Sequence, residues 1–122
     1  MSGLWEVFTE IRFEAAHFLP HVPEGHKCRR MHGHSFRVRV ILQSDRLREE
    51  GWLEDFGVIK SRLEPIRLQL DHYLLNEIEG LDNPTSENLA AWLWPRVKKV
   101  LPALSCIEVL ETCTSGCRYR GV

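Results

Sequence analysis

Two long stretches of strict alternation constrain this chain more than any other feature. Over about residues 4 to 17 and 33 to 43, apolar side chains recur at every second position, which fits a strand with one buried face. In the first stretch Val7, Thr9, Ile11, Phe13, Ala15 and His17 share a face. In the second, His32, His34, Phe36, Val38, Val40 and Leu42 share one, and Arg37 and Arg39 take the other. Two predicted strands therefore carry three imidazoles on their apolar faces. The loop between them holds the breakers Pro20, Pro23 and Gly25, together with His21, His26 and Cys28.

After Gly51 the period changes. Phe56, Ile59, Leu63, Ile66 and Leu70 recur at helical spacing, so the pattern predicts an amphipathic helix from Asp55 to about Leu70, kinked or split at Pro65. Asn83-Pro84-Thr85-Ser86-Glu87 supplies a breaker, a hydroxyl cap and an early acidic residue for a second helix. Its stripe is Leu89, Trp92, Leu93, Val97 and Val100, with a bend expected at Pro95 and a stop at Pro102. Ile107, Val109 and Glu111 share one face of a third strand. A Gly-containing turn, Cys113 to Cys117, leads into a short fourth strand near Arg118 to Gly121. The order is ββααββ. Two helices cover only one face of such an antiparallel sheet, so the other face or the edges are expected to meet further subunits.

A length of 122 residues suits one domain with one core. The net charge of -1 offers no basic stripe to displace the counterions of a nucleic acid, so none is expected as a partner. Glu6, Glu10 and Arg12 interrupt the first twelve residues, unlike a secretion signal, and no stretch approaches the length of a membrane span. A cytoplasmic setting follows, in which Cys28, Cys106, Cys113 and Cys117 stay reduced. Cys113 and Cys117, three residues apart with no second pair, read as small turn-flanking residues rather than thiolate ligands.

Three histidines with no obvious fourth protein ligand form the set expected of catalytic zinc, whose open position must accept water or substrate. The plainer reading of His32 and His34 is a pair of partly exposed strand residues; Cys28 and His17 tilt the balance toward a site. Glu111 sits in core phase, where a lone carboxylate is costly. It pairs either with an arginine or with the planar N–H edge of a pterin or guanine. Asp71-His72 is either a helix-end cap or an acid/base pair. Lys27, Arg29 and Arg30 are either a solvated cluster or a reception point for an anionic substrate beside Cys28.

Taken together, Phe13-Glu14-Ala15-Ala16-His17, Cys28-x-x-x-His32-Gly33-His34, Leu70-Asp71-His72, Asn83-Pro84-Thr85-Ser86-Glu87 and Glu111-Thr112 closely resemble the 6-pyruvoyltetrahydropterin synthase superfamily, in order from about residue 6 to the end. The three-residue gap before His32-Gly33-His34 resembles the branch serving queuosine biosynthesis; animal 6-pyruvoyl enzymes typically have a five-residue gap. The resemblance implies an α+β tunnelling fold (T-fold), one domain over residues 1–122, with a four-stranded antiparallel sheet and two helices on one face. Its subunits would close into an oligomeric barrel, usually a hexamer of two trimers. It implies Zn2+ on His17, His32 and His34, Cys28 as proton acceptor, Asp71 and His72 as the proton relay, and Glu111 as pterin anchor and member of the catalytic set. Thr85, Ser86 and Glu87 match a segment that in this family helps form the pterin pocket from a neighbouring subunit. The implied activity is a zinc-dependent lyase reaction on a small pterin triphosphate, 7,8-dihydroneopterin triphosphate. It would give 6-carboxy-5,6,7,8-tetrahydropterin, acetaldehyde and triphosphate. The alternatives are 6-pyruvoyltetrahydropterin synthase activity and a non-catalytic zinc-dependent pterin-binding protein.

Overall fold

Alternation that long demands a partner strand of equal length, and the computed structural model, which describes residues 3–121, supplies one. Strand β1 (Trp5–His17) pairs antiparallel with β2 (His32–Ser44) along its whole length. β2 also pairs with β3 (Leu104–Leu110), and β3 with β4 (Gly116–Tyr119), giving a four-stranded antiparallel sheet in the order β1-β2-β3-β4. The crossover from β2 to β3 carries the helices α1 (Phe56–Leu68) and α2 (Ser86–Val100). Single 3-10 turns lie at Lys27–Arg29 and Leu75–Glu77. This is the ββααββ α+β subunit that the periodicities predict.

The register sets the core. Ile11 stands opposite Val38, Phe13 opposite Phe36, Val38 opposite Val109 and Val40 opposite Ile107, so one apolar stripe crosses the sheet at right angles to the strands. Against it pack Ile59, Leu63 and Ile66 of α1 and Leu89, Ala90, Trp92, Leu93 and Val97 of α2, all buried. Both helices start where the sequence places a cap. Asp55 accepts from the Gly57 N–H at 2.9 Å and Thr85 from the Asn88 N–H at 3.1 Å.

α1 runs on through Pro65 and α2 through Pro95 as single helices. Pro65 and Pro95 are exposed, as are Ser61 and Ala91 four residues before them, so the turns that lose a helical donor lie on the solvent side of each helix. β3 stops at Leu110, which leaves Glu111 half-buried at the mouth of the turn rather than within the strand. β4 begins at Gly116, two residues earlier than predicted. The turn is tightened by the Thr112 hydroxyl, which accepts from the N–H groups of Thr114 and Ser115. A Cβ at position 116 would stand 2.7 Å from the Val109 carbonyl oxygen, so only glycine lets β4 pair this soon.

The sheet face away from the helices carries charge. Glu10 accepts from Arg12 at 2.8 Å and from Arg37 and Arg39 at 3.2 Å each, while Glu108 pairs with Arg39 and Arg118. The hydrogen bond from Arg37, supported by those from Arg12 and Arg39, outweighs desolvation and holds the Glu10 carboxyl down at about 2 against an ordinary 4.5. A carboxylate whose folded pKa is depressed stabilises the fold above its unfolded pKa, and that contribution is lost as pH falls from about 4.5 toward 2. Glu10→Gln should therefore cost about 1 kcal/mol near neutrality, a figure reduced for solvent screening of the arginines. The deficit should shrink to nothing as pH approaches 2, measured by urea unfolding of both chains at one protein concentration. A deficit independent of pH would assign the effect to packing instead of charge.

Candidate metal centre

The β1–β2 register delivers the imidazoles. His17, the last residue of β1, stands opposite His32, the first of β2, and Ala15 stands opposite His34. The three rings sit edge to face with centroids 4.6 to 5.1 Å apart, and one ligating atom from each lies within 4.8 Å of the others. Phe36 makes edge contacts with His17 and His34, and stacks on Phe13 at 5.2 Å, so the cluster rests on the core.

Main-chain acceptors select the nitrogens. His17 Nδ1 donates to the Pro84 carbonyl at 2.8 Å, and His32 Nδ1 to the Arg30 carbonyl at 2.7 Å. Because a carbonyl only accepts, both rings carry a proton on Nδ1, which leaves Nε2 as the nitrogen that can face a metal. His17 Nε2 is buried and has no hydrogen-bond partner. An acceptor left unpaired in the interior is costly unless a cation completes it. Burial also pushes the His17 and His34 imidazoles toward their neutral form, most strongly through desolvation, and the neutral ring is the ligating one. The residues present therefore fit a divalent ion held by three histidines. Among the described residues neither Cys28 nor Glu111 joins the ligand group.

The remaining predicted residues lie on elements joined to the strand ends that carry these histidines. Cys28 lies half-buried in the 3-10 turn before β2, its carbonyl accepting from the Leu19 N–H at 2.7 Å, which ties that turn to the chain just after His17. Asp71 and His72 dock on the edge of β1. Asp71 Oδ1 accepts from the Glu14 N–H at 2.9 Å, the His72 N–H donates to the Glu14 carbonyl at 2.6 Å, and Ala16 donates to the Tyr73 carbonyl at 3.1 Å. His72 Nδ1 lies 2.9 Å from Asp71 Oδ2. The Glu14 N–H, then His72, holds the Asp71 carboxyl below its usual range. His72 has a positive φ of 65°, a conformation uncommon for a residue with a Cβ, and its ring is exposed. His34, His72, Glu14 and Tyr73 line one open groove of about 490 Å³.

Glu111 reaches the centre from the other side, with Oε2 3.9 Å from His34 Nε2. It shares a cleft of about 180 Å³ with Ser86, Glu87 and Cys117. Ser86 and Glu87 thus line one cleft with Glu111 of the same chain; α2 packs on β3 and β4 and brings its first turn to their connecting loop. The Thr85 hydroxyl is taken up by its cap, and Thr85 lines neither cavity. Sequence reasoning missed Glu14 and the carbonyls of Pro84 and Arg30. Glu14 was visible as a charge beside His17, whereas a main-chain carbonyl leaves no mark in a sequence.

A family model described as 6-pyruvoyl tetrahydropterin synthase matches residues 6–122. The chain is 52% identical over 122 residues to the 6-carboxy-5,6,7,8-tetrahydropterin synthase of Synechocystis, an alignment covering 95% of this chain and 93% of the relative. It is 33% identical over 128 residues to the Bacillus subtilis protein of the same name, covering 95% and 85%. A 6-pyruvoyl tetrahydropterin synthase structure from Caenorhabditis elegans superposes with a TM-score of 0.88 at 23% identity, covering 98% of this chain and 97% of that one, which speaks for the fold.

Ligand and bystander are separable by metal analysis. His32→Ala, which removes one of the three nitrogens, should lose the bound divalent ion after dialysis, whereas Cys28→Ala should stay folded and keep it. Metal falling to near zero in Cys28→Ala would make Cys28 a ligand.

Proposed function

Because this chain belongs to the 6-pyruvoyl tetrahydropterin synthase family, we propose that it converts 7,8-dihydroneopterin triphosphate to 6-carboxy-5,6,7,8-tetrahydropterin, acetaldehyde and triphosphate in queuosine biosynthesis. The product's carboxyl carbon bears two oxygens where the first side-chain carbon of the substrate bears one, so the reaction also takes up a water. The observation that carries the reading is the buried, unpartnered Nε2 of His17 among two further imidazoles, a set suited to a three-ligand catalytic ion with an open position. The name of the Synechocystis relative selects the carboxylated product over the pyruvoyl one.

Zinc held by His17, His32 and His34 would supply Lewis-acid polarisation of the substrate's side-chain hydroxyls. The chain's own groups then handle protons. Cys28 takes the proton from the side-chain carbon, acting as base from the 3-10 turn that precedes β2. His72, oriented by the Asp71 carboxylate, returns a proton from the far side of the groove. Glu111 accepts the paired N–H groups of the pterin ring, with Ser86 and Glu87 at the same cleft, and Thr85 serves them by starting α2 at the right residue. Moving the proton from the first side-chain carbon to the ring leaves a carbonyl there; loss of the proton this makes acidic on the second carbon expels triphosphate from the third. The water adds to the first carbon as its bond to the second breaks, the two-carbon fragment taking up a proton to leave as acetaldehyde.

The working unit we assign is a cytoplasmic homo-oligomer of single-domain subunits (residues 1–122), most simply a hexamer of two trimers. Three observations support it: β1 and β4 are open sheet edges, Trp5, Phe8 and Phe56 are exposed beside β1, and all four cysteines are free thiols. No helix among the described residues is long and apolar enough to cross a membrane.

Zinc-loaded protein incubated with 7,8-dihydroneopterin triphosphate should yield 6-carboxy-5,6,7,8-tetrahydropterin and acetaldehyde in equal amounts. Accumulation of a 6-pyruvoyl product would move the assignment to that activity, and tight pterin binding without turnover would make the protein a binder. Sedimentation at assay concentration should show an assembly; a fully active monomer would rule the oligomer out.

A further inference from the structure

Three cations flank Cys28, and one of them, Arg29, is tied to the main chain nearby. Arg29 Nη1 donates to the carbonyl oxygen of Val22 at 2.9 Å and to that of Pro20 at 3.3 Å. The same turn is held twice more: Leu19 donates its N–H to the Cys28 carbonyl at 2.7 Å, and the Cys28 N–H donates to His26 Nδ1 at 3.1 Å. Residues 19 to 22 begin two positions after His17, and the Arg30 carbonyl that follows the turn accepts from His32. Cys28 therefore lies in a short stretch braced at one end to the chain leaving one metal ligand and at the other to the ring of a second.

We infer that Arg29 is a positioning residue, whose guanidinium, by tying the Cys28 turn to Pro20 and Val22, keeps the thiol fixed relative to the three-histidine centre. This rests on the reading of Cys28 as the base. Each of these bonds is exposed and modest alone. Proton abstraction, however, is sensitive to placement, and a displacement of about 1 Å costs on the order of a hundredfold in rate. Loosening the loop should thus cost turnover before it costs fold, metal or affinity.

The test uses zinc-loaded Arg29→Ala and His26→Ala, the second removing the acceptor of the Cys28 N–H. Iodoacetamide labelling is followed across pH by peptide mass spectrometry, so that Cys28 is scored apart from Cys106, Cys113 and Cys117. The high-pH plateau of the labelling rate reports access to the sulfur, and the midpoint reports the nearby charge. We expect the plateau to rise at least threefold in both variants. In Arg29→Ala, kcat should fall at least tenfold, with KM within threefold of the parent and zinc content unchanged. An unchanged plateau overturns the inference. So does a rise in KM alone, which would make Arg29 a ligand of the triphosphate, or loss of zinc along with turnover, which would make it a prop of the metal centre. If the parent chain makes no carboxypterin, the reaction assigned above fails, yet the labelling plateau still decides whether Arg29 braces Cys28.

Discussion

Everything at the metal centre depends on the register of β1 against β2. His17 and His32 face each other only because Phe13 meets Phe36 and Ile11 meets Val38 further along the same pair. A slip of one residue would carry a strand's histidines to the opposite face along with its whole apolar set, and the core rejects that arrangement. The pairing that buries hydrocarbon therefore also gathers the ligands. Phe36 belongs to both: it stacks on Phe13 and contacts His17 and His34 at the ring edge.

The two faces of the sheet meet opposite electrostatic problems. Toward the helices, burial keeps His17 and His34 neutral and free to bind a cation. Toward the open side, Glu10 stays ionised because guanidinium groups surround it, and Glu108 pairs with Arg39 and Arg118. Alternation of side chains lets adjacent residues of one strand serve both needs: in β2, Arg37 follows Phe36 directly.

Much of this was legible in the sequence, and the gaps have a common cause. The strands, the phase of the histidines and both helix caps follow from periodicity and from the side chains of Asp55 and Thr85, whose signals are local. The docking of Asp71 and His72 on β1 spans 57 residues from Glu14 to Asp71 and runs largely through main-chain groups, which every sequence possesses. The tautomer of His17 depends on the Pro84 carbonyl, and Pro84 reads along the chain only as a breaker. Whether Pro65 and Pro95 would fall on the solvent side of their helices is a tertiary fact that the sequence does not carry. Glu111 was placed one step inside β3 because alternation continues past the point where the turn begins.

The short parallel bridge between Ala16 and Leu74 has a topological consequence. With the Asp71 and His72 bonds to Glu14 and the Arg67 guanidinium on the Arg12 carbonyl, it covers the outer main-chain groups of β1 from Arg12 to Ala16, the end that carries His17. A strand arriving along this edge from another molecule can zip up from the Trp5 end but is stopped before the histidines. The chain thus carries its own terminator for edge-to-edge growth at the end of β1 that bears the histidine.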